Sequence, residues 1–147
     1  MYMWHNIDSE QDLTAFMERV SDFHDSCVKE LKYISGAYVD KDLSMYPVND
    51  LRCLKMIVQR QYDDLPAIEL EFSKLKYLKL NPCDEQYTCE LLDATMLLND
   101  GYVYWCDCGG LTVREMGHYS GTVICASKVR WKDANAYIGS QEVYKAT

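Results

Sequence analysis

One stretch of helical period, followed by a long run of twofold alternation, is the feature that most constrains this chain. Ile68-Glu69-Leu70-Glu71-Phe72 alternates apolar and acidic residues without exception. In a strand that pattern sends one set of side chains to a core and the other set to the opposite face. A strand with one polar face belongs to an antiparallel sheet, because parallel sheets are covered on both sides. The 51–62 segment repeats the pattern, with Leu54, Met56 and Val58 set against Lys55, Gln59 and Gln61. Segments 28–39, 91–98, 102–107 and 122–131 read as further strands, and 75–80 as a continuation of the 68–72 strand past a bend or as a short strand of its own. Asn99-Asp100-Gly101 suits a tight hairpin, with Gly101 supplying a positive φ.

The helical stretch comes first. Leu13, Phe16, Met17, Val20 and Phe23 recur at the spacing of one buried stripe, which predicts a helix over about residues 10–23. Ser9 with Asp12 three residues on resembles a capping box, and Glu10 and Asp12 complement the helix dipole. Trp4 and Ile7 are placed to pack over the helix start. One helix and then strands reads as α+β, an amino-terminal helix packed on a mostly antiparallel sheet of about six strands. A small barrel closed by the same strands is the alternative. The segments 40–50, 81–86 and 108–121 read as loops, and the tail after Lys132 as irregular or weakly helical. With 147 residues, no repeat and no compositional break, the chain reads as a single domain, 1–147.

Charge narrows the partners. A net charge of −8 with a pI near 4.8 leaves too little basic surface to displace counterions from nucleic acid or to hold an anionic membrane. It permits a basic protein partner, since opposite charge speeds encounter, and it also fits a charge that simply keeps the chain in solution. Twelve Tyr against three Phe supply side chains with apolar bulk and a polar tip, which suit half-exposed sheet faces and interfaces. Met1-Tyr2-Met3-Trp4-His5 is too short an apolar start for a signal peptide, and no window nears a membrane span. Seven scattered cysteines, several inside apolar runs, fit a reducing cytoplasm.

Three places carry residues able to do chemistry. His24 beside Asp25, with Ser26 following, is a candidate general-base pair and catalytic site. The competing role is structural: His24 capping the carboxyl end of the helix, and Asp25 and Ser26 bonding to turn amides. Cys106, Cys108 and His118 are candidate metal ligands, although the Cys-x-Cys spacing is not the usual zinc knuckle and no second pair follows. Glu69 and Glu71, facing away from the core, form a candidate acidic binding face. Gly109-Gly110 lacks the Lys-Ser/Thr of a phosphate loop, and no motif calls for a cofactor.

Trp4…Ile7-Asp8-Ser9, then Phe23-His24-Asp25-Ser26-Cys27-Val28-Lys29-Glu30 and Ser35-Gly36-Ala37-Tyr38-Val39, resemble the opening of a family of small bacterial proteins without an established activity. Ala67–Phe72, Leu92-Asp93-Ala94-Thr95 and Ala126-Ser127-Lys128-Val129-Arg130-Trp131 continue the resemblance. It implies a single cytosolic domain and supplies no catalytic residues. By size and charge, such proteins are comparable to immunity proteins of toxin systems. The expected function is therefore a non-enzymatic protein-binding domain; a small-ligand binder, or a hydrolase or metal protein using the His24-Asp25 turn, are the alternatives.

Overall fold

A computed structural model describes residues 3–143; Met1 and Tyr2, and the tail's last four residues, lie outside it. The chain runs β1 (His5–Asn6), α1 (Glu10–Arg19), β2 (Ser26–Ile34), β3 (Tyr38–Val39), β4 (Met45–Tyr46), β5 (Cys53–Arg60), β6 (Ala67–Lys79), β7 (Thr95–Asn99), β8 (Tyr102–Cys106), α2 (Val113–Met116) and β9 (Val123–Asp133). Seven strands form one open antiparallel sheet in the order β2-β5-β6-β9-β8-β7, with β1 also paired to β9. Strands β3 and β4 stand apart as a two-stranded ribbon. The architecture is thus mostly antiparallel sheet with few helices. The barrel alternative is corrected, because the sheet stays open; six strands lie on its main path and β1 adds a seventh.

The alternation fixes the register. Leu54, Met56 and Val58 of β5 lie beside Phe72, Leu70 and Ile68 of β6, and Leu70 and Phe72 in turn lie beside Trp131 and Val129 of β9. These residues join Leu13, Phe16, Val20 and Phe23 in one apolar cluster. Phe23 meets Phe16 and Trp105 edge to face, with ring centroids 5.8 Å apart in each pair. Strand β6 is continuous: Lys74 takes a φ of 51° and the register shifts at a bulge between Leu75 and Tyr77, so the bend does not end the strand. The β7–β8 turn is the expected one, with Asp100 and Gly101 at φ 50° and 79° between the paired Asn99 and Tyr102.

The helix is shorter than its periodicity predicts. Ser9 Oγ accepts the Asp12 N–H at 3.1 Å, while the Asp12 carboxylate reaches back to the Asp8 N–H at 3.0 Å, one residue beyond the usual capping box. The helix then stops at Arg19. Val20 and Phe23 keep the helical spacing and are fully buried, but Phe23 arrives through a left-handed 3-10 turn. Trp4 also departs from expectation, lying over Arg130 and Lys132 at 4.1 and 4.6 Å rather than over the helix start, while Ile7 does enter the core.

Both faces of the sheet are covered, in different places. A second cluster of Cys106, Met116 and Val123, with Leu97, Tyr104, Leu111 and Tyr119 packed on it, lies under the 108–121 segment. Thr95, Leu97, Tyr104 and Cys106 alternate with the core residues Met96, Val103 and Trp105, which puts this cluster on the opposite side of β7 and β8. Among the described residues, no helix is long and apolar enough to cross a membrane.

Candidate functional site

The turn after α1 holds the first group of sequence-predicted residues. Ser21, Asp22 and Phe23 take φ values of 54°, 53° and 64°, and Asp25 takes 55°. Left-handed backbone costs an L-residue about 1–2 kcal/mol, so such a run persists only where its surroundings impose it. Here they do. Within the turn, the N–H groups of Phe23 and His24 donate to Val20 O and Ser21 O at 3.0 and 2.9 Å. From outside, Ala94 N–H donates to Asp22 O, Asp25 N–H to Leu91 O and Gln61 N–H to Asp25 O, at 2.9, 3.1 and 3.0 Å. The turn is a knot joining the helix end, the start of β2, the corner after β5 and the segment before β7.

Both polar side chains of the candidate pair take part in this knot. His24 Nδ1 stands 2.5 Å from Leu92 O, and a carbonyl only accepts, so Nδ1 carries a proton. Nε2 stands 3.5 Å from Asp25 Oδ2. The hydrogen bond to Leu92 first, and the Asp25 charge second, raise the imidazole above its ordinary pKa. The Ser26 hydroxyl is buried and donates to Phe23 O. His24 thus bonds the Leu92 carbonyl, in the segment before β7, instead of the last helical carbonyls, and Ser26 donates to a backbone carbonyl rather than to His24.

The candidate metal ligands do not converge. Cys106 is buried, with its thiol 3.2 Å from Cys108 O, while His118 is exposed beyond α2. Among the described residues, no group of three or more His, Cys, Asp or Glu side chains is placed to hold a metal ion. The 108–121 loop is instead pinned to the sheet. Thr95 Oγ1 donates to Cys108 O and accepts the Leu111 N–H, at 2.6 and 3.1 Å. Thr112 and Glu115 form a capping box around α2, which sets Met116 into the second cluster. Tyr119 Oη donates to Asp107 at 2.6 Å; burial first, and that hydrogen bond second, push the phenol well above its usual range.

Glu69 and Glu71 do face away from the main core, but not toward open water. Glu69 is only 8% exposed and lies 3.4 Å from Lys132 Nζ, and Glu71 accepts from Arg130 at 2.9 Å. Register continues the rows: Lys32, Lys55, Glu71 and Arg130 stand side by side across β2, β5, β6 and β9. The solvated acidic face that the alternation suggests is corrected to a mixed-charge ladder, with Trp4 covering part of it.

The most exposed apolar surface lies elsewhere, in the connection between β2 and β5. Tyr38, Val39, Leu43, Met45, Tyr46, Val48 and Leu51 account for seven of the fifteen exposed large apolar residues among those described, and Tyr33 at the end of β2 adds an eighth. Leu43 at the tip is 84% exposed and Met45 is 68% exposed. The arm is ordered by its own bonds. Tyr38 and Tyr46 stack across β3 and β4 with centroids 4.8 Å apart. At the tip, Asp40 Oδ1 accepts the N–H groups of Asp42 and Ser44 at 2.9 and 3.1 Å. At the base, Ser35 O accepts the N–H groups of Leu51 and Arg52, both at 3.1 Å. Gly36 there has a φ of 106°, and an added Cβ would meet the Asp50 carboxylate at 2.2 Å. Sequence reasoning took 40–50 for an ordinary loop. The available signal was its apolar content, Leu43, Met45, Tyr46 and Val48, set among the turn residues Asp40, Asp42, Ser44, Pro47 and Asn49.

Comparison with protein-family models, with curated proteins and with solved structures found no match.

Proposed function

We propose that this chain is a non-enzymatic binding protein that engages a basic protein partner through the 35–52 arm, and in the finer reading that it is a cytoplasmic immunity-type protein covering a toxin. The observation that carries this reading is the concentration of bare apolar side chains on the arm. Contiguous exposed apolar surface rimmed by polar groups marks interaction sites, because leaving it in water forfeits about 25 cal/mol per Å². Asp40, Asp42 and Asp50 against Lys41 and Arg52 leave the arm with one net negative charge, of the same sign as the whole chain. The His24 turn and the Cys106–Cys108 strand end add no competing support for catalysis, since their polar groups are bonded within the fold.

Affinity purification from the native host tests it, using the wild type and Leu43→Asp in parallel at low and high salt. The expected result is a basic protein retained by the wild type, released by salt, and bound at least tenfold more weakly by Leu43→Asp. Identical capture by both forms, or no specific partner at low salt, overturns the reading. A toxin-like reading frame beside the gene would support the immunity reading.

A further inference from the structure

Two strands end the sheet, β2 and β7, and they differ in how their edges are protected. Strand β2 carries Lys29, Lys32 and a bulge between Val28 and Glu30, and the Ser26–Leu91 bridge covers its start. Charges and bulges of this kind keep an edge from pairing with a further strand. Strand β7, Thr95-Met96-Leu97-Leu98-Asn99, has no charge, no proline and an unbroken register with β8. Its two-residue turn makes Asn99 and Tyr102 a hydrogen-bonded pair, and such pairs alternate along the ladder. The N–H and C=O groups of Met96 and Leu98 therefore point away from β8. Among the described residues, no backbone group outside the ladder bonds them.

That open edge lies along a groove. Leu13 and Met17 of α1 line it on the core side with Met96. Gly109 and Gly110 line it on the other side of the sheet, where Thr95 bonds Cys108 O and the Leu111 N–H. Four carboxylates, Glu10, Glu18, Asp22 and Asp93, complete the lining, with no Lys or Arg among them, and none of the four is ion-paired among the described residues. We infer that this groove binds an extended segment of a partner protein, which adds as a strand to β7 and carries Lys or Arg beside apolar residues. Main-chain bonds to Met96 and Leu98 set the pairing, apolar side chains at alternate positions enter beside Leu13, Met17 and Met96, and cations meet the carboxylates. A second copy of this chain fits worse, because pairing two β7 edges would bring two sets of four carboxylates together. The groove lies at the opposite sheet edge from β2 and the 35–52 arm, and the inference does not rest on the arm.

The isotope-labelled full-length protein, titrated with a synthetic Lys-Val-Lys-Val-Lys-Val-Lys peptide and followed by NMR, provides the test. The expected result is saturable binding that weakens about tenfold on going from low to high salt. Hydrogen exchange should slow at the Met96 and Leu98 amides and stay unchanged at Leu97, which already bonds β8. The same peptide with Glu for Lys should not bind. Of two peptides N-methylated at the valine or at the lysine amides, one should lose binding and the other keep it, since a strand turns only every second amide toward its neighbour. Asp22→Asn combined with Asp93→Asn should weaken binding about fivefold with an unchanged circular dichroism spectrum; Asn tolerates the left-handed backbone at 22. No binding, equal binding of the lysine and glutamate peptides, full affinity of both methylated peptides, or shifts confined to the arm overturns the inference. So does a doubled mass in light scattering with the Met96 and Leu98 amides protected before peptide is added. Leu43→Asp should bind the peptide as the wild type does, so failure of this inference and failure of the arm reading are told apart.

Discussion

The His24 turn and the 35–52 arm are both irregular connections flanking β2, and they treat their side chains in opposite ways. The turn encloses Phe23 completely and uses the backbone groups of Asp22, Asp25, Leu91 and Ala94 to hold it in left-handed conformation. The arm makes hydrogen bonds within itself at Ser35 and Asp40, is tied to β6 where Arg52 O accepts the Leu75 N–H, and leaves Leu43 and Met45 in water. Of the residues that look chemical in the sequence, Ser26 is buried, while His24 and Asp25 stay partly exposed and bond to the turn's own neighbours. The residues that look ordinary, an apolar set in a loop, are left exposed by folding.

The contrast is sharpest under truncation. Phe23→Ala should cost about 3–5 kcal/mol in urea unfolding, since it opens a cavity between α1 and the sheet. Leu43→Asp should shift stability by no more than about 0.5 kcal/mol. Comparable losses at both positions would break the distinction. Gly36→Ala comes next, because both the positive φ and the Asp50 carboxylate oppose a Cβ. It should cost at least about 1 kcal/mol, felt as lost hydrogen-exchange protection at the Leu51 and Arg52 amides, with the turn amides unaffected.

Ser21→Gly probes the strain in the turn. Relief of the left-handed penalty outweighs the added freedom of the unfolded chain, so the variant should be more stable by up to about 1 kcal/mol in the same unfolding measurement. A net loss would mean that the Ser21 backbone is not held left-handed. The smallest effect concerns His24. Its pKa is raised in the folded state, so its contribution is complete below the unfolded value near 6.5 and is lost as pH rises through the folded value. An NMR titration of the imidazole should give a pKa above 6.5, and Asp25→Asn should lower it toward the ordinary value. An unchanged titration in that variant would remove Asp25 from the pair.

Much of the sheet was legible in the chain. The alternation over Ile68–Phe72 and Leu54–Val58 dictated which residues enter the core, because a period of two permits only two faces. Asp100-Gly101 set the β7–β8 turn, and Ser9 with Asp12 set the start of α1. These are local determinants, acting over a few residues. The two-residue β1 and the ribbon strands β3 and β4 carried too few residues for any period to register.

Tertiary structure decided everything that depends on distant neighbours. Spacing alone could not distinguish a helix through Phe23 from a left-handed turn that delivers Phe23 to the same cluster; the amide of Ala94 and the carbonyl of Leu91 made that choice. Nor could it reveal that Glu69 and Glu71 would meet Lys132 and Arg130, some sixty residues away, and lose their open acidic face. The sequence by itself determined an acidic chain whose strands have one core side and one polar side. Only the folded chain decided which polar groups are satisfied and which apolar ones stay bare, because satisfaction is a property of pairs, and the pairs are made across the sheet.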